Sequence, residues 1–184
     1  MPAHKFNLGE LHNLSIQRGT LTDEERYIIN DHIVQTIIML ESLPFPRHLR
    51  NVPEIAGGHH ERMDGNGYPR RLMGKDMSVL ARIMAIADVF EALTAGDRPY
   101  KKAKPLSEAI RIMGAFKRNG HLDPDLLDLF LESNVWMDYS YRFLNPEQMD
   151  EPDIRSALAI RPASEPIGPR AGNMAHMEMP RRIA

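Results

Sequence analysis

At 184 residues and 21.0 kDa, the chain is long enough for one domain with a substantial core and too short for two domains of ordinary size. Its 23 basic and 25 acidic side chains give a formal net charge of -2, which argues against a surface that is basic throughout, as in proteins that coat nucleic acids or membranes. The absence of cysteine excludes disulfides and thiolate metal sites, so histidine, aspartate and glutamate are the metal ligands left to the chain.

The first predicted helix covers about residues 22–42. Thr22 and Glu25 match a capping box, in which two side chains satisfy free backbone donors where a helix starts. Apolar residues then recur every three or four positions, with His32 among them, as they do on one buried helix face. The prolines at 44, 46 and 53 end this helix and predict a connector.

Further helices are predicted along the rest of the chain. A short helix over about 53–62 carries His59 and His60, and the glycine-containing stretch 65–76 is predicted to be a loop. Ser78 is expected to cap a helix over 79–94, with an inward face formed by Leu80, Ile83, Met84, Ala87, Asp88 and Glu91. Helices are also predicted over about 107–117 and from Pro124 onward, and the aromatic stretch 136–144 is expected to pack on the core.

No run of the sequence alternates apolar and polar residues over the length of a strand, so we expect an all-α helical bundle. Six of the 14 prolines lie between residues 146 and 180, among few large apolar residues. We therefore expect a folded domain over 1–145 and a disordered tail over 146–184. No apolar run approaches the ~20 residues of a membrane helix, and residues 1–20 lack the order of a signal peptide, so we expect a cytoplasmic protein without membrane insertion.

Four residues on helices with apolar neighbours are candidate metal ligands: His32, His59, His60 and Asp88. A single histidine such as His32 is more often a hydrogen-bonded core residue than a ligand. Asp88 is a stronger signal, because a buried carboxylate needs a cation or a shifted pKa. Imidazole and carboxylate together suit iron, manganese or zinc, and such ions can activate water for phosphoester hydrolysis.

A basic segment follows the helix of Asp88 and indicates an anionic substrate. Arg98, Lys101, Lys102 and Lys104 lie close together there, and guanidinium and ammonium groups bind phosphates well. The alternative is an ordinary solvated basic loop, which this segment alone does not exclude.

Three stretches together resemble an HD-GYP domain, a bacterial subclass of the HD phosphohydrolase superfamily: HHERMDGNGYP, RIMAIADVFEALTAGDRPYKK and GHLDPDLLDLF. The resemblance runs from about Gly19 to Phe143 and implies an HD-type helical bundle that holds divalent metal ions, commonly iron, and hydrolyses cyclic di-GMP.

The resemblance also implies roles for individual residues. It makes His32, His59, His60 and Asp88 metal ligands. It implies a signature loop formed by Asp64, Gly65, Gly67, Tyr68 and Pro69, which shapes the substrate side and has been linked to contacts with diguanylate cyclase (GGDEF-type) domains. It places Arg98, Lys101 and Tyr68 near the nucleotide.

The sequence departs from this pattern at its start. An HD-GYP domain should carry an adjacent His-Asp pair about 29 residues before His32, but those positions are Ala3 and His4, and the pair occurs nowhere in the chain. The missing aspartate normally bridges the metals, so we expect one iron or manganese ion rather than two or three. The chain is then either a piece of a longer sensor protein or a member of a degenerate branch, and the position of Ala3 and His4 within the chain favours the second.

Three functions stay open at this stage. The first is a metal-dependent cyclic di-GMP phosphodiesterase, of full or reduced activity, which the ligand spacing favours. The second is a degenerate module that binds cyclic di-GMP or a cyclase-domain partner without hydrolysing the nucleotide. The third is an element that transmits a signal by forming a homodimer through its helices.

Overall fold

The computed structural model describes residues 23–96 and 103–163. Within these ranges it contains seven α-helices: α1 (Asp23–Glu41), α2 (Val52–Gly58), α3 (Val79–Thr94), α4 (Leu106–Arg118), α5 (Pro124–Glu132), α6 (Val135–Phe143) and α7 (Ile154–Ala159). Short 3-10 turns lie at Arg47–Leu49, Gly74–Asp76 and Pro146–Gln148, and no strand occurs in the described part of the chain. The all-α prediction is confirmed.

Two helix starts follow the local chemistry that the sequence predicts. The Ser78 hydroxyl accepts a hydrogen bond from the Ala81 N–H, at 3.2 Å, and caps α3. Asp123 caps α5 in the same way, ahead of Pro124 at the first helical position, where a missing N–H costs nothing. Thr22, the predicted cap of α1, lies outside the described residues.

The main core joins α3, α4, α5, α6 and α7. Its buried members come from all five helices and the turn before α5: Ala85, Ile86, Phe90, Leu106, Ile110, Met113, Leu122, Leu127, Leu131, Trp136 and Ala157. The Trp136 Nε1–H donates to the Leu131 carbonyl at 3.1 Å, so the predicted packing of this aromatic segment on the core is confirmed.

Two glycines in α2 bring α1 and α3 close to it. A Cβ on Gly57 would lie 2.6 Å from Cγ1 of Ile37 in α1, and a Cβ on Gly58 would lie 3.0 Å from Cβ of Ala81 in α3. These contacts fill the space that a side chain would need, so the backbone of α2 lies directly against both neighbours. The end of α2, and the histidines that follow it, are positioned by this packing.

The predicted inward face of α3 is wrong. Leu80, Ile83 and Met84 are 54%, 46% and 44% exposed, Ala87 and Glu91 are also exposed, and Asp88 is half-buried. The buried face instead holds Ala81, Ala85, Ile86, Phe90 and Thr94. The helix is apolar almost all round, so its periodicity is satisfied by either face and cannot indicate which one meets the core.

Two boundaries also differ from expectation. The short helix ends at Gly58 rather than near residue 62, so His59 is its C-cap and His60 lies in the turn beyond it. The folded part continues past residue 145, because Ala157 in α7 is buried against the core and Lys117 in α4 donates to the Leu158 carbonyl at 3.3 Å. The expected disorder is therefore wrong for 146–163, and residues 164–184 lie outside the described part.

Among the described helices, none is long and apolar enough to cross a membrane.

Candidate metal centre

Three histidines converge where α1 meets the end of α2. Nε2 of His32 lies 3.2 Å from Nε2 of His60, although these residues are far apart in the chain. Each of His32, His59 and His60 offers a ring nitrogen within 4.8 Å of those of the other two. The structure thus brings together three of the four predicted ligands.

Backbone carbonyls orient two of these rings. Nδ1 of His59 lies 2.7 Å from the carbonyl of Ala56, and Nδ1 of His32 contacts the carbonyl of Ile29. A carbonyl only accepts, so each Nδ1 must carry the proton, which leaves the lone pair on Nε2. A carbonyl behind Nδ1 is also the usual support of a histidine that binds metal through Nε2.

His60 is held in its neutral form. Burial, together with the neighbouring His59 and His32, lowers its pKa to about 4, against the opposing effect of Asp88. The ring stacks on Tyr68 with centroids 4.8 Å apart and an interplanar angle of 18°. A neutral, oriented imidazole offers its lone pair to a cation near neutral pH, so the three rings fit a divalent metal ion.

Asp88 lies near the histidines without joining their group. It is half-buried on α3, and its charge acts to raise the pKa values of both His60 and Tyr68. Burial is the larger cause of the raised pKa of Tyr68. No carboxylate oxygen belongs to the group of potential ligand atoms in the described part of the chain.

The signature loop is built around Glu61, which the sequence interpretation did not select. This side chain is 1% exposed, and its carboxylate accepts hydrogen bonds from the N–H groups of Arg70, at 2.7 Å, and Leu72, at 3.0 Å. Burial raises its pKa, and the backbone donors act to lower it. Glu61 therefore ties both ends of the loop together directly after the His59-His60 pair.

The predicted loop residues fall into two groups. Asp64 forms an ion pair with Arg62 at 2.7 Å and accepts a hydrogen bond from the Asn66 N–H at 2.9 Å, so it shapes the turn. Gly65 adopts a φ of 72°, which favours glycine. Tyr68, joined to Pro69 by a cis peptide bond, places its ring against His60.

The turn between α4 and α5 lies against the start of this loop. The Asp64 N–H donates to the Gly120 carbonyl at 2.9 Å, and the Met63 N–H donates to the His121 carbonyl at 3.3 Å. Gly120 has a φ of 66°, and a Cβ there would lie 3.1 Å from that of Asp64. His121 thereby comes near enough to His60 for their charges to interact, and the sequence interpretation missed it because nothing in its local pattern indicates that proximity.

Lys104 is the one member of the predicted basic segment that the structure describes, and its Nζ forms an ion pair with Glu108. Arg98 and Lys101 lie outside the described residues, so their role stays a prediction. Ala3 and His4, where the sequence lacks the His-Asp pair, also lie outside them.

Comparison with known proteins identifies a family and several relatives. A family model described as an HD domain matches residues 1–126. A 3'3'-cGAMP-specific phosphodiesterase 1 of Vibrio cholerae is 37% identical over 131 residues, covering 70% of this chain and 30% of the relative. A cyclic di-GMP phosphodiesterase of Thermotoga maritima is 36% identical over 133 residues, covering 71% and 35%.

A third relative is also named as a phosphodiesterase. A cyclic di-GMP phosphodiesterase of Pseudomonas aeruginosa is 40% identical over 115 residues, covering 62% of this chain and 27% of the relative. The chain therefore spans only about a third of the length of the curated relatives that it matches. The similarity is confined to one part of each of those proteins.

Proposed function

The chain belongs to the HD domain family, and from that membership we propose that it is a metal-dependent phosphodiesterase of the HD-GYP type. Its proposed substrate is cyclic di-GMP or a related cyclic dinucleotide, in keeping with the names of its relatives. The observation that carries the proposal is the group formed by His32, His59 and His60, whose ring nitrogens lie within 4.8 Å of one another.

The chain's own residues supply the binding and orienting functions of this site. The three histidines would hold the ion, with His32 and His59 fixed by the carbonyls behind their Nδ1 atoms. A bound divalent ion, which we propose to be a single iron or manganese, would supply a water of lowered pKa and polarise the phosphoryl oxygens. Asp88 adds negative charge beside the ion, where it offsets the positive charge of the metal.

The substrate side is proposed to lie along the signature loop. Tyr68 presents a ring against His60, and its hydroxyl is a potential hydrogen-bond donor to the nucleotide. We propose that Arg98 and Lys101 bind phosphate, since guanidinium and ammonium groups neutralise its charge.

Metal analysis of the purified protein, followed by a hydrolysis assay, tests this proposal. Iron-loaded or manganese-loaded protein under reducing conditions should convert cyclic di-GMP or 3'3'-cGAMP to linear products, measured by chromatography. His32→Ala and His60→Ala should each lose most of the bound metal and the activity, because each removes one of three ligands. His48→Ala, which changes an exposed histidine in the connector, should retain both. Full activity in His60→Ala would contradict the proposed metal centre.

A second function is favoured by a specific observation. The group of potential ligand atoms contains no carboxylate among the described residues, and the sequence lacks the His-Asp pair. A site with so little negative charge suits a module that binds the cyclic dinucleotide without cleaving it. Calorimetric binding of cyclic di-GMP to metal-loaded protein, with no linear product after prolonged incubation, would select this function over hydrolysis.

A protein partner is also proposed for the signature loop. Diguanylate cyclase (GGDEF-type) domains are the expected class, through contacts that include Tyr68, and a homodimer is a further proposed assembly. Titration of such a domain into the protein should give binding that Tyr68→Ala weakens. Light scattering across a concentration series should show the mass of a dimer if the chains associate.

A further inference from the structure

His121 lies in the turn between α4 and α5, which is hydrogen-bonded to the start of the signature loop. Its carbonyl accepts from the Met63 N–H, and its N–H donates to the Phe116 carbonyl at 2.9 Å. The neighbouring Arg62 Nη2 donates to the Asn119 carbonyl at 3.5 Å. The α4–α5 turn and the start of the signature loop are therefore joined by several hydrogen bonds, with His121 at their junction.

The ring of His121 lies within electrostatic reach of His60. Burial, together with Arg62 and His60, lowers its pKa to about 4, against the opposing effect of Asp64. The imidazole therefore carries one N–H donor and one acceptor nitrogen near neutral pH. It resembles His60 in this respect but lies outside the group of three potential ligands.

The two ring nitrogens of His121 form no hydrogen bond with the described residues. One face of the ring packs on Phe116, with centroids 4.4 Å apart and an interplanar angle of 32°. Neither ring nitrogen has a hydrogen-bond partner within the ranges 23–96 and 103–163. Among the described residues, Nε of Arg82 is the one side-chain nitrogen or oxygen that is both fully buried and without a partner. The nitrogens of His121 also lack a partner, so they are not fully buried and keep access to solvent. A half-buried imidazole with free nitrogens can still bind a ligand that enters the site.

We propose that His121 is a substrate-contacting residue that donates a hydrogen bond from its ring to a phosphate oxygen of the cyclic dinucleotide. This inference rests on the proposed function, and it adds a residue outside the ligand group and the signature loop. The phosphate is the chosen acceptor because the scissile group must lie beside the metal. His121 lies on the turn that is hydrogen-bonded to Met63 and Asp64, just after the histidine pair, and is near enough to His60 for their charges to interact. Arg62, whose charge also acts on His121, is committed to its ion pair with Asp64 and is less available for that task.

Replacement of His121 separates this role from packing. His121→Leu keeps apolar contact with Phe116 but removes the donor, and His121→Gln keeps an N–H donor without the ring. His48→Leu is the matched control, because it makes the same change at an exposed position in the connector. Each protein is loaded with the same metal and compared by metal content, melting temperature, and KM for cyclic di-GMP, or Kd if the nucleotide is bound but not cleaved.

We expect His121→Leu to raise KM or Kd about tenfold, as for the loss of one hydrogen bond to a charged group, with metal content unchanged. His121→Gln should restore most of the affinity, and His48→Leu should match the wild type. Because phosphate is common to all cyclic dinucleotides, the same factor is expected for cyclic di-GMP and cyclic di-AMP.

Several results would overturn the inference. Unchanged affinity in a folded, metal-loaded His121→Leu protein would mean that the ring only packs. Equal loss of metal in His121→Leu and His121→Gln would make His121 a support for the metal group instead. A loss limited to one nucleobase would contradict a phosphate contact. Wild-type protein that neither binds nor cleaves cyclic dinucleotides would contradict the proposed function itself, and His121 would have no such substrate to contact.

Discussion

Gly67 is a single residue on which the signature loop depends. A Cβ at this position would lie 2.4 Å from the backbone nitrogen of Arg62 and from Cα of Glu61, and neither backbone atom can rotate away. Glycine is therefore needed here for lack of space, and Glu61 lies directly after the histidine pair. The loop and the metal centre thus depend on the same close contact.

Gly67→Ala should lower the free energy of unfolding by about 1–3 kcal/mol, as overpacking does, and should weaken metal retention. Gly96→Ala is the matched control, because the nearest atom to a new Cβ there is 3.5 Å away, at ordinary contact distance. Its effect should stay within about 0.5 kcal/mol. Urea denaturation and metal analysis measure the two effects, and equal stability of the two variants would contradict the steric argument.

Pairs of helices determine whether His32 can reach His60. The contact between Gly57 in α2 and Ile37 in α1 sets the distance between these two helices, and each helix positions one of the histidines. The helical pattern around Ile37 predicts that this residue is buried, but it does not indicate which glycine it meets.

A double-mutant cycle tests this contact. Gly57→Ala should destabilise the fold by about 1–3 kcal/mol by overpacking, and Ile37→Ala by about 2–5 kcal/mol by leaving a cavity. Because the new methyl group occupies part of that cavity, the double variant should be more stable than the sum of the two effects predicts. Denaturant unfolding gives all four values, and strict additivity would mean that the helices do not meet at this point.

The start of α4 is stabilised by a residue far along the chain. Pro105 precedes the helix and offers no side-chain cap, while the Asp150 carboxylate accepts hydrogen bonds from the Ser107 N–H, at 2.8 Å, and from the Ser107 hydroxyl. Desolvation acts to raise the pKa of Asp150, but the hydrogen bonds from Ser107, together with backbone N–H groups of Leu106 and Asp150, outweigh it and hold this pKa below its ordinary value of 3.8.

This lowered pKa predicts that Asp150 contributes to the stability of the fold in a pH-dependent way. The unfolded chain takes up the proton first as the pH falls, so the stabilisation is present above the ordinary pKa and is lost at lower pH. The stability difference between the wild type and Asp150→Asn should therefore shrink between about pH 6 and about pH 3. Asp138→Asn is the control, since the Asp138 carboxylate accepts no hydrogen bond from the described residues. Thermal melts across this range measure both, and a pH-independent difference for Asp150→Asn would contradict the cap.

At the scale of the whole molecule, the last described segment closes the core. Lys117 is 1% exposed, and its Nζ donates to both carboxylate oxygens of Asp128, at 2.6 and 2.9 Å, as well as to the Leu158 carbonyl. Gln148 is also buried and donates to the carbonyls of Thr94, at 2.9 Å, and Lys104, at 3.0 Å. These bonds join the segment after residue 145 to α3, to the residues before α4 and to α4 itself, and Lys117 links α4 in turn to α5.

Two shortened chains test that closure. A chain ending at residue 145 removes the Gln148 amide, the Asp150 cap and α7, and it exposes the buried face around Ala157. We expect its melting temperature to fall by roughly 10 °C or more, which corresponds to the loss of several kcal/mol in a domain of this size. A chain ending at residue 163 should melt within a few degrees of the full chain. Equal melting of the two shortened chains would restore residue 145 as the domain boundary.

Much of the helical structure was predictable because its signals are local. Ser78 and Pro124 mark helix starts through the backbone donors that they satisfy or lack, and the structure places α3 and α5 accordingly. The end of the short helix at Gly58 was not predictable to this accuracy, because two glycines and two histidines give no strong signal for continuing or stopping. The prolines after residue 145 led to a prediction of disorder that is wrong for part of this segment, because a short helix can be stabilised by the core on which it packs.

Local sequence patterns predict the all-α class, the starts of several helices, the ligand types open to a chain without cysteine, and the family to which the motifs point. Only the folded chain shows which face of α3 is buried, that His32 meets His60, that Asp88 stays outside the histidine group, and that His121 comes within electrostatic range of His60. The two sets of features differ in how far apart in the chain the interacting residues lie. Helix starts depend on hydrogen bonds between near neighbours in the chain, whereas the site depends on close helix contacts at Gly57 and Gly58 and on the turn at Gly120. Such contacts leave no periodic trace in the sequence.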